Sequence, residues 1–348
     1  MGRQLGAMSG LAMALIVLNH SIHFGSGALE NLGYPEFPLW VENFLSALQA
    51  LGAFAVPTFL FVSGSFVAYA ARGNPPRISS KFLISSLKNI LVPYLFWSIV
   101  YYVFYYFRTG LQYTALGYLK NLLVGFPFHF IPLLIFFYLL SPFLILWIKK
   151  VPAAVLGVIA VYQVFLLNLV YPGILGFNFP EWSHLAALPV LKQTMAFWGI
   201  YFPLGMFYGL NTKRLAAWSR RFVWVFAILS IGLFTIGAYY LIKYGEVLLA
   251  QFLSPVAFIL IIPAIRREKI PFVRFFENIG KRSYGIYLMH IIIIEVVLIV
   301  IQYAAPAFFT LPILYFPLLY LLGLIIPLYL IQFIARAPTK LVYRYLFG

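Results

Sequence analysis

Three ionisable side chains stand inside long apolar stretches of this chain, where each costs a few kcal/mol to insert and is therefore a candidate for function. His20 lies about 15 residues into the first stretch, about 22 Å along a helix. Counted from Arg282, the same rise sets His290 about 10 Å and Glu295 about 18–20 Å into the ninth. A neutral imidazole titrates near physiological pH, so His20 is suited to take a proton from a hydroxyl group; the alternative is an interfacial histidine bonded to a carbonyl or water. Glu295 is the one acidic residue deep in any apolar run. A carboxylate there either carries a proton and bonds a Ser, Tyr or Asn of a neighbouring helix, or faces a cation. Its depth matches that of His20, so a third arrangement has it orient the imidazole and stabilise imidazolium during general-base catalysis. His290 follows an aromatic run and either supports such a site or is structural. His23 lies one turn beyond His20. His129 opens the fourth apolar run and His184 falls in a loop, positions typical of ordinary solvated histidines. Lys88 sits about one turn inside its run, where a lysine snorkels to phosphates of lipid or of a ligand.

Other chemistry is excluded by composition. Cysteine is absent, which removes disulfides, thiolate metal sites and a cysteine nucleophile. Aspartate is absent as well, so no Ser-His-Asp triad can form and most hard-cation sites are ruled out; no metal is expected.

The elements that must position these groups follow from hydropathy. With 64% hydrophobic residues and a mean hydropathy of +0.96, the chain is far outside the soluble range. Ten runs approach the length of about 20 residues that a membrane helix needs: 5–24, 44–71, 82–107, 128–148, 152–171, 194–210, 221–243, 246–265, 283–304 and 310–335. Amides in hydrocarbon must be satisfied within their own segment, so these runs are helices. The loops are too short to fold alone, and residues 1–348 read as one all-α polytopic bundle of about ten transmembrane helices. The first run resembles a signal peptide in its single Arg3 and its following Gly25–Gly27, but its polar residues favour a retained helix.

Charge gives the sidedness. Of 24 Lys and Arg, all but Arg108, Lys120, Lys192 and Lys243 fall in or beside alternate gaps that begin with the N-terminus, among them Arg72, Lys149, Lys150, Lys213, Arg214 and the tail Arg336, Lys340 and Arg344. The opposite gaps carry Glu30, Glu36, Glu42, Glu181 and Glu246. Basic loops stay cytoplasmic, so both termini are expected there, in a multi-pass protein of the inner or plasma membrane. The net charge of +16 is thus a topology signal. A nucleic-acid partner, which would need basic and aromatic residues on one exposed face, is not expected. The long translocated gaps 25–43 and 172–193 hold Gly, Pro and aromatics (Trp40, Trp182) and read as ordered interfacial loops; between Thr109 and Pro127 a mildly amphipathic stretch reads as an interfacial helix.

Five segments, in order and spread over nearly the whole chain, resemble signatures of the acyltransferase-3 family of integral membrane proteins, particularly its exopolysaccharide-modifying branch. They are Ser9–His20 (SGLAMALIVLNH), Phe59–Gly64 (FLFVSG), Lys88–Trp97 (KNILVPYLFW), His129–Pro142 (HFIPLLIFFYLLSP) and, most similar, Ile279–His290 (IGKRSYGIYLMH). The resemblance implies a ten-helix bundle that transfers an acyl group, usually acetyl from acetyl-CoA, to a hydroxyl of a glycan or lipid-linked glycan outside the membrane. It implies that His20 is the catalytic base; in the acyl-transfer reading of the residues, Glu295 and His290 support the site and Ser63 or nearby amides donate to the developing oxyanion. The family's first-helix arginine, eleven residues before the histidine, is Ser9 here, and the paired arginines near the start of the third helix fall at about Ser86 and Asn89. Arg3 and Lys88 are the cations left to hold the phosphates of acyl-CoA. A transporter or flippase of a glycan or lipid that retains the fold without those arginines is the alternative reading.

The sidedness is directly testable. A fluorescent protein fused after Gly348 is expected to be active in the cytoplasm, and alkaline phosphatase inserted within 172–193 active on the far side. Reversed activities would overturn the orientation.

Overall fold

The computed structural model describes residues 2–71, 73–336 and 340–348. Arg72, one of the cations used for sidedness, lies outside the described residues. All regular structure among the described residues is helical, with no strand. Fifteen α-helices follow in order: α1 Gly2–Asn31, α2 Leu39–Ala50, α3 Ala55–Ala70, α4 Ser80–Thr109, α5 Ala115–Val124, α6 Phe130–Lys150, α7 Pro152–Val170, α8 Lys192–Trp198, α9 Tyr201–Leu210, α10 Thr212–Tyr244, α11 Leu249–Ile261, α12 Val273–Gly280, α13 Ser283–Ala304, α14 Pro312–Arg336 and α15 Lys340–Phe347. Eight stretches among the described residues are long and apolar enough to cross a membrane, α2 and α3 counting as one through a short 3-10 link. The chain is an all-α polytopic membrane bundle.

The two other runs expected to span form broken or shortened helices. The run 194–210 is split into α8 and α9 at Gly199–Ile200. Pro203 has no N–H, so the Gly199 carbonyl four residues earlier loses its helical partner, and the break follows. The run 246–265 is α11 followed by a 3-10 turn, Ile262–Ala264, around Pro263.

Three boundaries differ from the sequence expectation. The first helix continues to Asn31 rather than ending near 24, because Gly25 is a contact residue and not a breaker: it packs under Phe316 of α14, and its carbonyl accepts from the Tyr315 hydroxyl at 3.0 Å. The expected loop 25–43 therefore shrinks to the segment around Pro35 and Pro38, and Trp40 stands exposed on α2. The seventh span begins at Thr212, so the basic residues from Lys213 to Arg221 form its first turns. In 172–193 the chain is mostly irregular, with a 3-10 stretch Glu181–Ala186 on which Trp182 is exposed. The amphipathic stretch after Thr109 does form a helix, α5, capped by the Thr114 hydroxyl accepting from the Gly117 amide.

The chain divides into two compact units. The first comprises Met1–Leu5, Val56–Ile90 and Tyr113–Pro271. Hydrocarbon offers no hydrophobic drive between helices, so small residues and interhelical hydrogen bonds set their approach. Here α3 and α9 meet backbone to backbone: a Cβ on Gly64 would overlap the Phe202 carbonyl, and one on Gly205 would overlap that of Phe61. Helix α10 is joined to α11 by reciprocal bonds, Ser230 Oγ to the Ser254 carbonyl (3.2 Å) and Ser254 Oγ to the Ser230 carbonyl (3.0 Å), and by Gln251 donating to the Gly237 carbonyl at 3.0 Å. Its other face, with Trp224, Ile228 and Ile231, is exposed, as a lipid-facing surface should be.

The second unit comprises Gly6–Ala55, Leu91–Gln112 and Phe272–Gly348. Its α1 and α12 cross on Gly10 and Gly280, whose added Cβ atoms would overlap the backbone carbonyls of Phe276 and Gly6. Gly323 of α14 admits Ile294 of α13 and Val17 of α1. The terminal helix α15 is anchored by Phe347, which packs on Gly285, and by Trp97, whose indole N–H donates to the Leu346 carbonyl at 2.8 Å.

Overpacking at such sites costs about 1–3 kcal/mol. Gly64→Ala and Gly10→Ala are expected to lower the melting temperature of the detergent-purified protein, whereas Gly232→Ala, where an added methyl meets nothing, is expected to hold or raise it. Equal effects at all three would contradict the close crossings.

Candidate functional site

His20 is placed by α1 in the second unit, half-buried, on the turn before Phe24. Its neighbour Asn19 ties this part of α1 to the α2 end: Nδ2 donates to the Gln49 carbonyl at 2.9 Å, and Gly52 packs flat against the same amide. Across from His20 stands His290 of α13, with ring centroids 5.1 Å apart and planes inclined by 52°. Phe24 lies 5.8 Å from the His20 ring, with planes inclined by 30°. Two imidazoles from helices about 270 residues apart in sequence thus share one site.

His290 is completely buried. Its Nδ1 lies 2.6 Å from the Tyr287 carbonyl oxygen. A carbonyl has no proton to give, so the proton in this bond belongs to Nδ1, and the neutral ring carries its lone pair on Nε2. Nε2 has no hydrogen-bond partner among the described residues. The helix itself sets this tautomer, through the carbonyl three residues earlier.

Glu295 lies five residues further along α13, buried, and a cation faces it. The Nε of Arg108, near the end of α4, is 2.7 Å from Glu295 Oε2, with side-chain exposures of 30% and 10%. Of the arrangements open for this carboxylate, the ion pair is the one formed. Sequence reasoning did not single out Arg108. Its signal was present: it is the only arginine in the gaps read as translocated.

The remaining candidates fall elsewhere. Arg3 and Lys88 are exposed and Ser63 is half-buried on α3; all three belong to the first unit, while His20, His290 and Glu295 belong to the second. Gly64, beside Ser63, owes its place in the FLFVSG segment to the close crossing with α9. Ser9 is buried within α1, and Ser86 and Asn89 lie partly exposed on α4. His23 and His129 are exposed, the latter directly before α6, and His184 is exposed in the 3-10 stretch.

The family model Acyl_transf_3, described as an acyltransferase domain, matches residues 4–332. The chain belongs to the acyltransferase-3 family. No curated protein and no solved structure matches it. Membership spans both units and all five signature segments. It supports a membrane acyltransferase-type function for this multi-pass protein.

Removing one member of a buried ion pair leaves the other charge uncompensated, at about 3–5 kcal/mol when both are fully buried and less here, where Arg108 is partly exposed. Arg108→Ala is therefore expected to destabilise the protein more than the double variant Arg108→Ala/Glu295→Gln does. Additive losses in a double-mutant cycle read by thermal unfolding in detergent would show that the pair contributes nothing.

Proposed function

We propose that this protein moves an acyl group, acetyl in the simplest case, from a cytoplasmic acyl-CoA to a hydroxyl of an extracytoplasmic glycan or lipid-linked glycan. The observation that carries this reading is the juxtaposition of His20 and His290 in a chain of this family: a half-buried imidazole beside a second one whose Nε2 lone pair is free of described partners. His20 takes the acceptor's hydroxyl proton as its oxygen attacks the thioester carbonyl carbon. The C–O bond forms and the C–S bond breaks, and the proton held by the imidazolium passes to the departing thiolate. An imidazolium at His20 can donate to the His290 lone pair, and the Arg108–Glu295 pair supplies fixed charge on the same helix. Backbone amides are candidates to donate to the oxyanion.

The donor's phosphates would be met by Lys88 and Arg3, point charge and guanidinium on exposed positions. With Ser9, Ser86 and Asn89 in the places of arginines, bidentate phosphate binding there is lost. That substitution is the observation favouring the second reading, a transporter or flippase of glycan or lipid that retains the fold.

One comparison separates the two. In a deletion strain complemented with variants, NMR of the extracellular glycan is expected to show the acyl mark reduced by about 10²–10⁴-fold for His20→Ala, with glycan export unchanged. Glu295→Gln and Glu295→Ala are expected to reduce the mark as well. Export lost while the mark persists would establish the transporter, and wild-type marking by His20→Ala would remove His20 from the chemistry.

A further inference from the structure

Within the first unit, the ends of α6, α9 and α11 and the first turns of α7 and α10 surround a cavity of about 580 Å³. This is in the range of sites that hold ligands of a few hundred daltons. Its rim carries two cations, Lys149 at the end of α6 and Arg214 in the first turn of α10, both exposed, and no acidic side chain lines it. The polar Ser219 in its wall is already committed, donating to the Leu260 carbonyl at 2.5 Å. Below the rim the lining is mostly apolar, with Asn211 donating back to the Phe207 carbonyl at 3.1 Å and Tyr208 as the other polar side chain. Leu204 lies six residues inside the end of α9, and Phe61 nine residues inside the end of α3, so the cavity reaches about 9–13 Å inward along the helix axes.

A ligand complementary to this shape is anionic at one end and hydrocarbon for about 10 Å beyond it. A soluble phosphate would satisfy Lys149 and Arg214 but leave the deep apolar wall unfilled. Acetyl-CoA, the donor of the proposed reaction, would bring its pantetheine arm to that depth, leaving two amides without partners against an apolar wall. The rim lies at the basic ends of the helices, beside Lys150 and Lys213, the side that the positive-inside rule places against the anionic cytoplasmic leaflet. The geometry points to a binding site for one anionic phospholipid of that leaflet, its phosphate on Lys149 and Arg214 and part of one acyl chain between Leu204, Phe207, Leu215 and Ile259. Arginine binds such a phosphate through two parallel N–H donors and lysine as a point charge. The site is independent of His20 and of the acyl-transfer reading, so its test reads binding and not transfer.

Trp218 is part of the cavity wall and serves as the reporter. Full-length protein in mixed micelles is titrated with phosphatidylglycerol or phosphatidylcholine brominated along one chain, and Trp218→Phe defines this residue's share of the fluorescence. Quenching of Trp218 is expected to saturate at a mole fraction of phosphatidylglycerol at least tenfold below that for phosphatidylcholine. Lys149→Gln/Arg214→Gln is expected to abolish that preference. Leu204→Phe, which fills the depth and keeps both charges, is expected to abolish saturation and stands as the second variant if the first cannot be purified. Equal quenching by the two lipids, a preference that survives either variant, or release of the brominated lipid by glycerol phosphate or acetyl-CoA would overturn the proposal.

Discussion

Hydrocarbon solvates neither a charge nor an unpaired amide, and every level of this protein answers to that constraint. It makes each apolar run helical, since only a helix pairs its amides internally. It sorts the lysines and arginines to alternate gaps, because carrying them across is costly. It also demands a partner for a carboxylate on α13, and Arg108 provides one at 2.7 Å. A guanidinium at the end of α4 and a glutamate on α13 thereby hold two helices in register, in surroundings where an unmatched charge at either position would be expensive.

The same solvent removes the usual drive for helices to associate, so contact must come from fit and from hydrogen bonds. Glycines supply the fit in both units: Gly64 with Gly205 between α3 and α9, Gly10 with Gly280 between α1 and α12. Serine and glutamine supply the bonds between α10 and α11. Three of these glycines, Gly10, Gly64 and Gly280, lie in segments that resemble family signatures. Their reason for being there is steric, since the opposing carbonyl occupies the place a side chain would need. The Gly10–Gly280 crossing and the Gly323 contact with Val17 position the very helix that presents His20.

Much of the fold was legible because it depends on local pattern. The run expected at 283–304 is α13 as observed, bounded by a basic turn before it and by Ala305–Pro306 after it. Boundaries were lost where a residue's local meaning and its tertiary meaning differ. Gly25 reads as a break and acts as a contact under Phe316; the Lys213–Arg221 stretch reads as a loop and is helical. The candidate residues His20, His290 and Glu295 stood out by type and depth, and the structure brings two of them together, with ring centroids 5.1 Å apart. Their partners did not stand out. Pairing Arg108 with Glu295, or Asn19 with the Gln49 carbonyl, is a property of helices brought together from distant sequence, and no spacing encodes it.

The pairing that did form changes how the labour at the site is divided. In soluble hydrolases a carboxylate orients the catalytic imidazole and stabilises its protonated form. Here the one deep carboxylate is engaged by Arg108, and His290, whose tautomer is set by the Tyr287 carbonyl, lies against His20. With Nδ1 spent on that carbonyl, His290 can turn only an acceptor toward a neighbour, and only while it is neutral. Such an acceptor can receive a hydrogen bond from a protonated His20 without bringing a net charge into the site. A neutral acceptor stabilises imidazolium less than a carboxylate does, so in the proposed transfer a proton taken up by His20 would be held less tightly and released more readily to a departing thiolate.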